Sequence, residues 1–166
     1  MEHVLDHLDS PVGRLAIVAD DTGALRVLAF VDRLERPEHA AAAAARPVAN
    51  PFGLTDRLRA YFAGELAAID SLRVVLDGTE FQNRVWNALR EIPCGDTWSY
   101  GDLARRIGKP SAVRAVGLAN GANPIAIVVP CHRVIGSNGT LTGYGGGLDR
   151  KRWLLAHESR ALRLDL

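Results

Sequence analysis

Residues 3–8, 14–19 and 25–31 alternate or run apolar. Turn-forming stretches separate them, Asp9-Ser10-Pro11-Val12-Gly13 and Asp20-Asp21-Thr22-Gly23. This pattern predicts a three-stranded antiparallel meander. Residues 32–51 are charged at first, then alanine-rich, then interrupted by proline, and read as an exposed connection with one short helix. Apolar residues at 54, 58, 61, 62 and 66 mark one face of a helix over residues 54–66. Residues 72–76 read as a further strand, and Asp77-Gly78-Thr79 as the boundary between two domains, residues 1–78 and 79–166.

The pattern changes after that boundary. A helix is predicted over residues 80–91, with Phe81, Val85, Trp86 and Leu89 on one side, and Ile92-Pro93-Cys94-Gly95 ends it. Two short helices follow, about 99–107 and 111–120, broken by Gly108-Lys109-Pro110. Ser111 is placed to cap the second. Two short helices across a tight glycine-containing turn read as a helix-turn-helix. The second carries Arg114 near its start and is otherwise small, with Ala112, Ala115, Gly117, Ala119 and Gly121. Small residues let a backbone approach a phosphate chain, or let helices pack closely in a core. Residues 125–129 form an apolar run that reads as a buried strand, and a last helix over 150–158 is expected to turn Trp153, Leu154 and Leu155 inward. The fold class is α+β, a sheet-containing first domain and a helical second one.

Composition narrows the class. Of 166 residues, 48% are hydrophobic and 23% charged, a globular balance that excludes wholesale disorder. No apolar run reaches the roughly 18 residues of a membrane span. The start, Met1-Glu2-His3-Val4-Leu5-Asp6, is acidic and is no secretory leader, so a cytoplasmic location is expected. The overall charge of +1 conceals an asymmetry: residues 1–78 hold 8 basic and 12 acidic residues, residues 79–166 hold 12 basic and 7 acidic. Only the second half is suited to an anionic partner such as nucleic acid. The two cysteines, Cys94 and Cys131, are expected as free thiols, without zinc-finger spacing.

The chemistry concentrates in Pro130-Cys131-His132-Arg133-Val134. A thiol beside an imidazole is a soft nucleophile next to a base. The alternative is a buried cysteine acting as a small hydrophobe. Lowering a thiol pKa by about two units takes roughly 2.7 kcal/mol of preferential thiolate stabilisation, which an adjacent imidazolium or a hydrogen-bond network can supply. Glu158 is the natural carboxylate to orient the second ring nitrogen of His132. Cysteine peptidases and acyltransferases use a similar pair but need an oxyanion hole, whereas attack on an alkyl carbon needs none. The tract Gly143-Tyr144-Gly145-Gly146-Gly147 lacks the lysine and spacing of a phosphate loop.

The run from Asn123 to His132, with Tyr100, Arg114 and Glu158, resembles the O6-alkylguanine-DNA alkyltransferase family. The match is close over about the last 90 residues and general over the first 75. The resemblance implies a ribonuclease-H-like first domain and a winged-helix or helix-turn-helix-like second one. It implies direct-reversal DNA repair: transfer of an alkyl group from O6 of guanine, and O4 of thymine secondarily, to Cys131, once per molecule, after the base flips out. By resemblance His132 takes the thiol proton through a water, Glu158 orients His132, and Tyr100 protonates the leaving base. Asn123 ties the recognition helix to the active-site turn. Arg114 fills the gap in the duplex, with Ala112, Ala115, Gly117 and Ser99 on the DNA side. Tyr144 and Gly145 close over the base, and the carbonyls of Cys131 and Val134 accept from its amino group. Some members carry serine where Gly145 stands, and the zinc ligands of some relatives have no visible counterpart. No cofactor or metal is implied. The expected partner is double-stranded DNA containing O6-alkylguanine, met by a monomer, with cooperative binding along DNA left open. Two rivals stay open at this stage: a non-catalytic lesion-binding or regulatory protein, and a thiol hydrolase.

Overall fold

A computed structural model describes residues 1–164, with side chains through Ser159. The chain divides into two compact units. One holds Met1–Val75 together with Pro124–Val128, and the other holds Leu76–Asn123 and Val129–Leu166. A single cut after residue 78 therefore misses a five-residue excursion: the chain leaves the second unit at Asn123 and rejoins it at Val129.

The first unit is built on strands β1 (His3–Ser10), β2 (Gly13–Asp20) and β3 (Leu25–Phe30), paired antiparallel as the alternation predicts. A two-residue strand β4 (Arg46–Pro47) adds parallel to β1, giving the order β3-β2-β1-β4. Residues 15–20 of β2 are buried without a break, because both faces of the sheet are covered. On one face Val18, Val27 and Ala29 pack with Ala41, Ala42 and Ala45. The connection is exposed at Ala40, Ala43 and Ala44 and carries one short 3-10 helix (Pro37–Ala42), while Ala41, Ala42 and Ala45 line the sheet. Helix α1 (Leu54–Phe62) stops earlier than its apolar period implies: Gly64 takes a positive φ of 111° and Leu66 begins a separate turn.

The β3 edge is covered twice. Residues 73–75 bond to Leu25, and Pro124 and Ala126 bond to Leu28, each as a single bridge and not a strand. The apolar run 125–129 fails as a strand because it turns twice. Val128 N–H donates to Ala126 (2.8 Å) around Ile127, whose φ is +72°, a γ-turn that few β-branched residues adopt. Cys131 N–H donates to Val129 (2.8 Å) around Pro130 at φ −83°, ψ 65°, an inverse γ-turn.

In the second unit, helix α2 (Glu80–Leu89) starts with a capping box between Thr79 and Gln82 and buries Val85, Trp86 and Leu89. Strand β5 (Trp98–Ser99) leads into α3 (Tyr100–Arg106), which is capped in the same way by Ser99 and Asp102. Helix α4 (Val113–Gly121) packs on both α2 and α3. Ser111 does not cap α4: its N-cap is Ala112, with no side-chain cap. Strand β6 (Val134–Ile135) runs parallel to β5, and α5 (Leu148–Leu164) closes the described chain. Trp86 Nε1 donates to the carbonyl of Ala119 on α4 (2.8 Å), so its ring is fixed in place. A Cβ on Gly78 would clash with that ring. Gly78→Ala is therefore expected to cost about 1–3 kcal/mol of stability, read as a lowered denaturant midpoint. An unchanged midpoint would mean that the ring can give way.

Candidate active site

Cys131, His132 and Arg133 form one 3-10 turn, and all three are buried. Two devices set the turn. The carboxamide of Asn123, just after α4, donates to Val129 (2.8 Å). After the turn, β6 is held by β5, with Val134 opposite Trp98 and Ile135 opposite Ser99. The chain that carries the thiol is thus fixed directly before and after it.

Glu158 on α5 is fully buried, and its carboxylate has two neighbours from this turn. His132 Nε2 lies 2.9 Å from Oε2. Arg133 donates from Nε to Oε1 and from Nη2 to Oε2, both at 2.9 Å, and from Nη1 to the carbonyl of Ile92 at 2.8 Å. This is the bidentate fork that suits a planar guanidinium. Burial alone would push the Glu158 carboxyl up, but His132 and Arg133 outweigh it and hold it far below the usual carboxylate range. Burial pulls His132 down despite Glu158, so the ring rests neutral. With Nε2–H given to Glu158, Nδ1 keeps its lone pair. That Nδ1 is buried and has no hydrogen-bond partner among the described residues.

The thiol differs from the sequence expectation. Burial pushes the Cys131 pKa up, against the pull of the Asn123 amide, the Lys151 ammonium and the backbone N–H groups of Cys131 and His132. The neighbouring histidine is uncharged and provides no standing imidazolium to lower it. A neutral imidazole with a free lone pair can instead accept the thiol proton.

Lys151 is 0% exposed. Its ammonium donates to the carbonyls of Val134 (2.5 Å), Thr142 (2.9 Å) and Gly143 (3.3 Å). The Tyr100 hydroxyl lies against the same carbonyls of Thr142 (3.2 Å) and Gly143 (3.4 Å), and burial, then the neighbouring Cys131, push its pKa up. Tyr144 is half-buried and Gly145 exposed in the loop that follows. Of the two carbonyls expected to read a base, that of Val134 accepts from Lys151, and that of Cys131 accepts from the backbone N–H of Val134 and from Asn120 Nδ2 at 3.4 Å.

On α4, Arg114 and Ala115 are exposed and Ala112 sits half-buried at the cap position. Gly117 faces the Tyr100 ring, where a Cβ would make an ordinary contact at 3.9 Å. Ser99 uses its hydroxyl to accept from Asp102 N–H (2.9 Å) as a helix cap. Sequence reasoning gave no role to Arg133, Lys151 or Asn120. Lys151 hides in the charged run Asp149-Arg150-Lys151-Arg152, but 151, 154 and 158 form one helical stripe, and all three are fully buried. That stripe replaces the expected one: Trp153 and Leu155 are only half-buried. Among the described residues no group of three or more His, Cys, Asp or Glu side chains is placed to hold a metal. No helix among them is long and apolar enough to cross a membrane.

Two family profiles cover nearly the whole chain. The ribonuclease-like domain of 6-O-methylguanine DNA methyltransferase matches residues 4–76, and the DNA binding domain of the same family matches residues 80–160. A methylated-DNA–protein-cysteine methyltransferase of Salmonella typhimurium is 51% identical over 164 residues, covering 95% of this chain and 96% of the relative. The Mycobacterium tuberculosis protein of the same name is 51% identical over 160 residues, covering 96% and 94%. Among solved structures, Mycobacterium tuberculosis OGT in complex with DNA superposes with a TM-score of 0.84 at 46% identity, covering 97% of this chain and 94% of that one.

The buried knot around Glu158 sets an acid limit. Both His132 and Glu158 titrate lower when folded than when unfolded. Their stabilisation is complete above the unfolded values, about 6.5 and about 4.3, and is lost as pH falls below each in turn. Denaturant midpoints should fall first between about pH 7 and 5, and His132→Gln should remove that upper step. Glu158→Gln at neutral pH should cost about 3–5 kcal/mol, because Arg133 is left buried without its counter-charge. A Glu158→Gln protein as stable as the wild type would remove the knot from the energetics of the fold.

Proposed function

The chain belongs to the 6-O-methylguanine DNA methyltransferase family, and on that premise we propose that Cys131 takes the alkyl group from O6 of guanine in duplex DNA. The protein is a DNA-binding repair enzyme, a methylated-DNA–protein-cysteine methyltransferase. In the mechanism we propose, the thiol proton passes to Nδ1 of His132 through a water as the sulfur attacks. The carbon–O6 bond breaks as the carbon–sulfur bond forms, and Tyr100 supplies a proton to the departing guanine. The product is a thioether, which no group at the site can reverse, so each molecule acts once. O4-alkylthymine presents the same kind of alkyl–oxygen bond and is the secondary substrate.

The observation that carries this reading is the buried, unpartnered Nδ1 of His132 in the residue next to the thiol, while Nε2 is committed to Glu158. A histidine that served only packing would have no need of an open lone pair, which costs about 1–3 kcal/mol when left unsatisfied. Alkyl transfer requires no oxyanion donors, which separates it from hydrolase chemistry.

Incubation with duplex DNA carrying labelled O6-methylguanine should leave one label per protein on the peptide containing Cys131, and Cys131→Ser should leave none. Labelling of the Cys131→Ser protein would sink the mechanism. Repeated turnover of small esters would favour a thiol hydrolase instead.

Arg114 tests base flipping. A guanine inside the duplex cannot present its substituent to a buried thiol, so it has to leave the stack at a cost of a few kcal/mol. Arg114 is exposed near the start of α4, and its planar cation suits the vacated gap. Arg114→Ala is expected to slow repair of duplex about tenfold or more, while reaction with free O6-benzylguanine changes little. Arg114→Lys should recover part of the rate, keeping charge but not the stacking plane. Equal slowing on both substrates would make Arg114 a support of the pocket.

A further inference from the structure

Helix α4 has an exposed stripe that carries Arg114 and Ala115, and a buried one made of Val116, Ala119 and Asn120. Asn120 is the exception on the buried side. A carboxamide in a helix is a weaker helix former than alanine, and burial strips it of water. Its Nδ2 donates to the carbonyl of Cys131. Its Oδ1 is buried and accepts from no group among the described residues. A leucine or methionine would fill the same place without that cost. The carbonyl it is bonded to is in the opposite condition. Cys131 O accepts from the backbone N–H of Val134 and from Asn120 Nδ2. A carbonyl oxygen has two lone pairs, so both are taken. The turn that presents the thiol therefore holds one acceptor with no room for a further donor. The carboxamide bonded to it holds one acceptor with no donor at all.

We propose that Asn120 is a specificity-determining residue for the alkyl transfer: its Oδ1 accepts from the exocyclic amino group of the flipped guanine. The inference rests on the alkyltransferase reading above. The chemistry of the lesion selects the group. Alkylation at O6 removes the proton from N1, and in DNA the sugar occupies N9, so the 2-amino group is the only N–H donor left on the base. The resemblance assigns its recognition to the carbonyls of Cys131 and Val134, and both already accept hydrogen bonds, Val134 from Lys151 and Cys131 from two donors. The Cys131 carbonyl could take an amino proton only by giving up a bond it has, whereas Oδ1 of Asn120 would gain one. Burial of Oδ1 is no bar. The thiol is itself buried, and a base that reaches it has to displace part of what covers the site. A buried acceptor that is paired only when the base offers a donor favours that base over one that lacks it.

The test is a two-by-two comparison of single-turnover rates. One pair is the substrates, duplexes carrying O6-methylguanine or O6-methylhypoxanthine, the same base without its amino group. The other pair is wild type and Asn120→Leu, which keeps the volume but offers no acceptor. Loss of one neutral hydrogen bond corresponds to about a tenfold fall in rate. The expected result is that fall for O6-methylguanine and little change for O6-methylhypoxanthine, so that the preference for the amino-bearing base shrinks about tenfold. A merely structural role would not move that ratio. Equal slowing on both substrates would make Asn120 a support of the Cys131 turn and overturn the proposal, as would unchanged rates on both. If a melting curve shows that the leucine protein does not fold, Asn120→Met, read in the same way, decides the matter. Failure of the wild type to accept an alkyl group from either duplex would instead refute the alkyltransferase reading, an outcome the wild-type control separates from the others.

Discussion

The carboxylate of Glu158, buried and shared between a guanidinium and an imidazole, is the interaction on which the rest of the site depends. Removing a carboxylate from water costs several kcal/mol unless its charge is matched. Arg133 matches it with two hydrogen bonds, and the third arm of the same guanidinium holds Ile92. The arrangement has a consequence for His132. If Glu158 faced the imidazole alone, its full negative charge would favour imidazolium, which has no lone pair to offer. With Arg133 beside it, the carboxylate is balanced locally, and burial keeps the ring neutral. Arg133 thereby helps to keep the imidazole neutral without touching the thiol.

Helix α5 organises both sides of the thiol from one buried stripe. Glu158 fixes the histidine side, and Lys151, two turns earlier, gathers the carbonyls of Val134, Thr142 and Gly143 on the loop side. A cation is well suited to that task. Three carbonyl dipoles meeting at one point would repel one another, and an ammonium satisfies all three with separate protons. Burial pulls the pKa of Lys151 down, and the proximity of Cys131 partly restores it. Each group therefore favours the charged form of the other, and a thiolate formed at Cys131 would find a counter-charge already in place.

Local patterns were legible in the sequence, and features that depend on distant partners were not. The strands of the meander are apolar or alternating runs with turn residues between them, so their order and approximate limits can be read directly. The start of α3 near residue 99 is readable in the same way. The run 125–129 was misread because a buried strand and a buried double turn have the same apolar composition; the γ-turn at Ile127 leaves no mark of its own. Ser111 was misread because the cap geometry begins one residue later, at Ala112. Of the candidate residues, Cys131, His132 and Glu158 were found through chemistry and resemblance. Arg133 and Lys151 were passed over because a charged side chain is ordinarily a solvated one, and only the position of Lys151 on the stripe with Leu154 and Glu158 could have revealed it.

The small helix α4 joins the outer surface to the chemistry by a rigid path. Six residues separate Arg114 from Asn120, a rise of about 9 Å along the helix. At the inner end, Asn120 donates to the carbonyl of Cys131 and Asn123 to that of Val129. Trp86 locks the intervening turn by bonding to Ala119, and α3 packs along the same helix. A force on the exposed stripe has no loop in which to dissipate before it reaches the carbonyls that flank the thiol. The distance from the outer arginine to the turn of Cys131 is therefore set by the helix and by buried side-chain hydrogen bonds at its inner end. In the alkyl transfer proposed above, a nucleophile that has to meet a single carbon atom would benefit from that arrangement, because misplacement by about 1 Å can cost two orders of magnitude in rate.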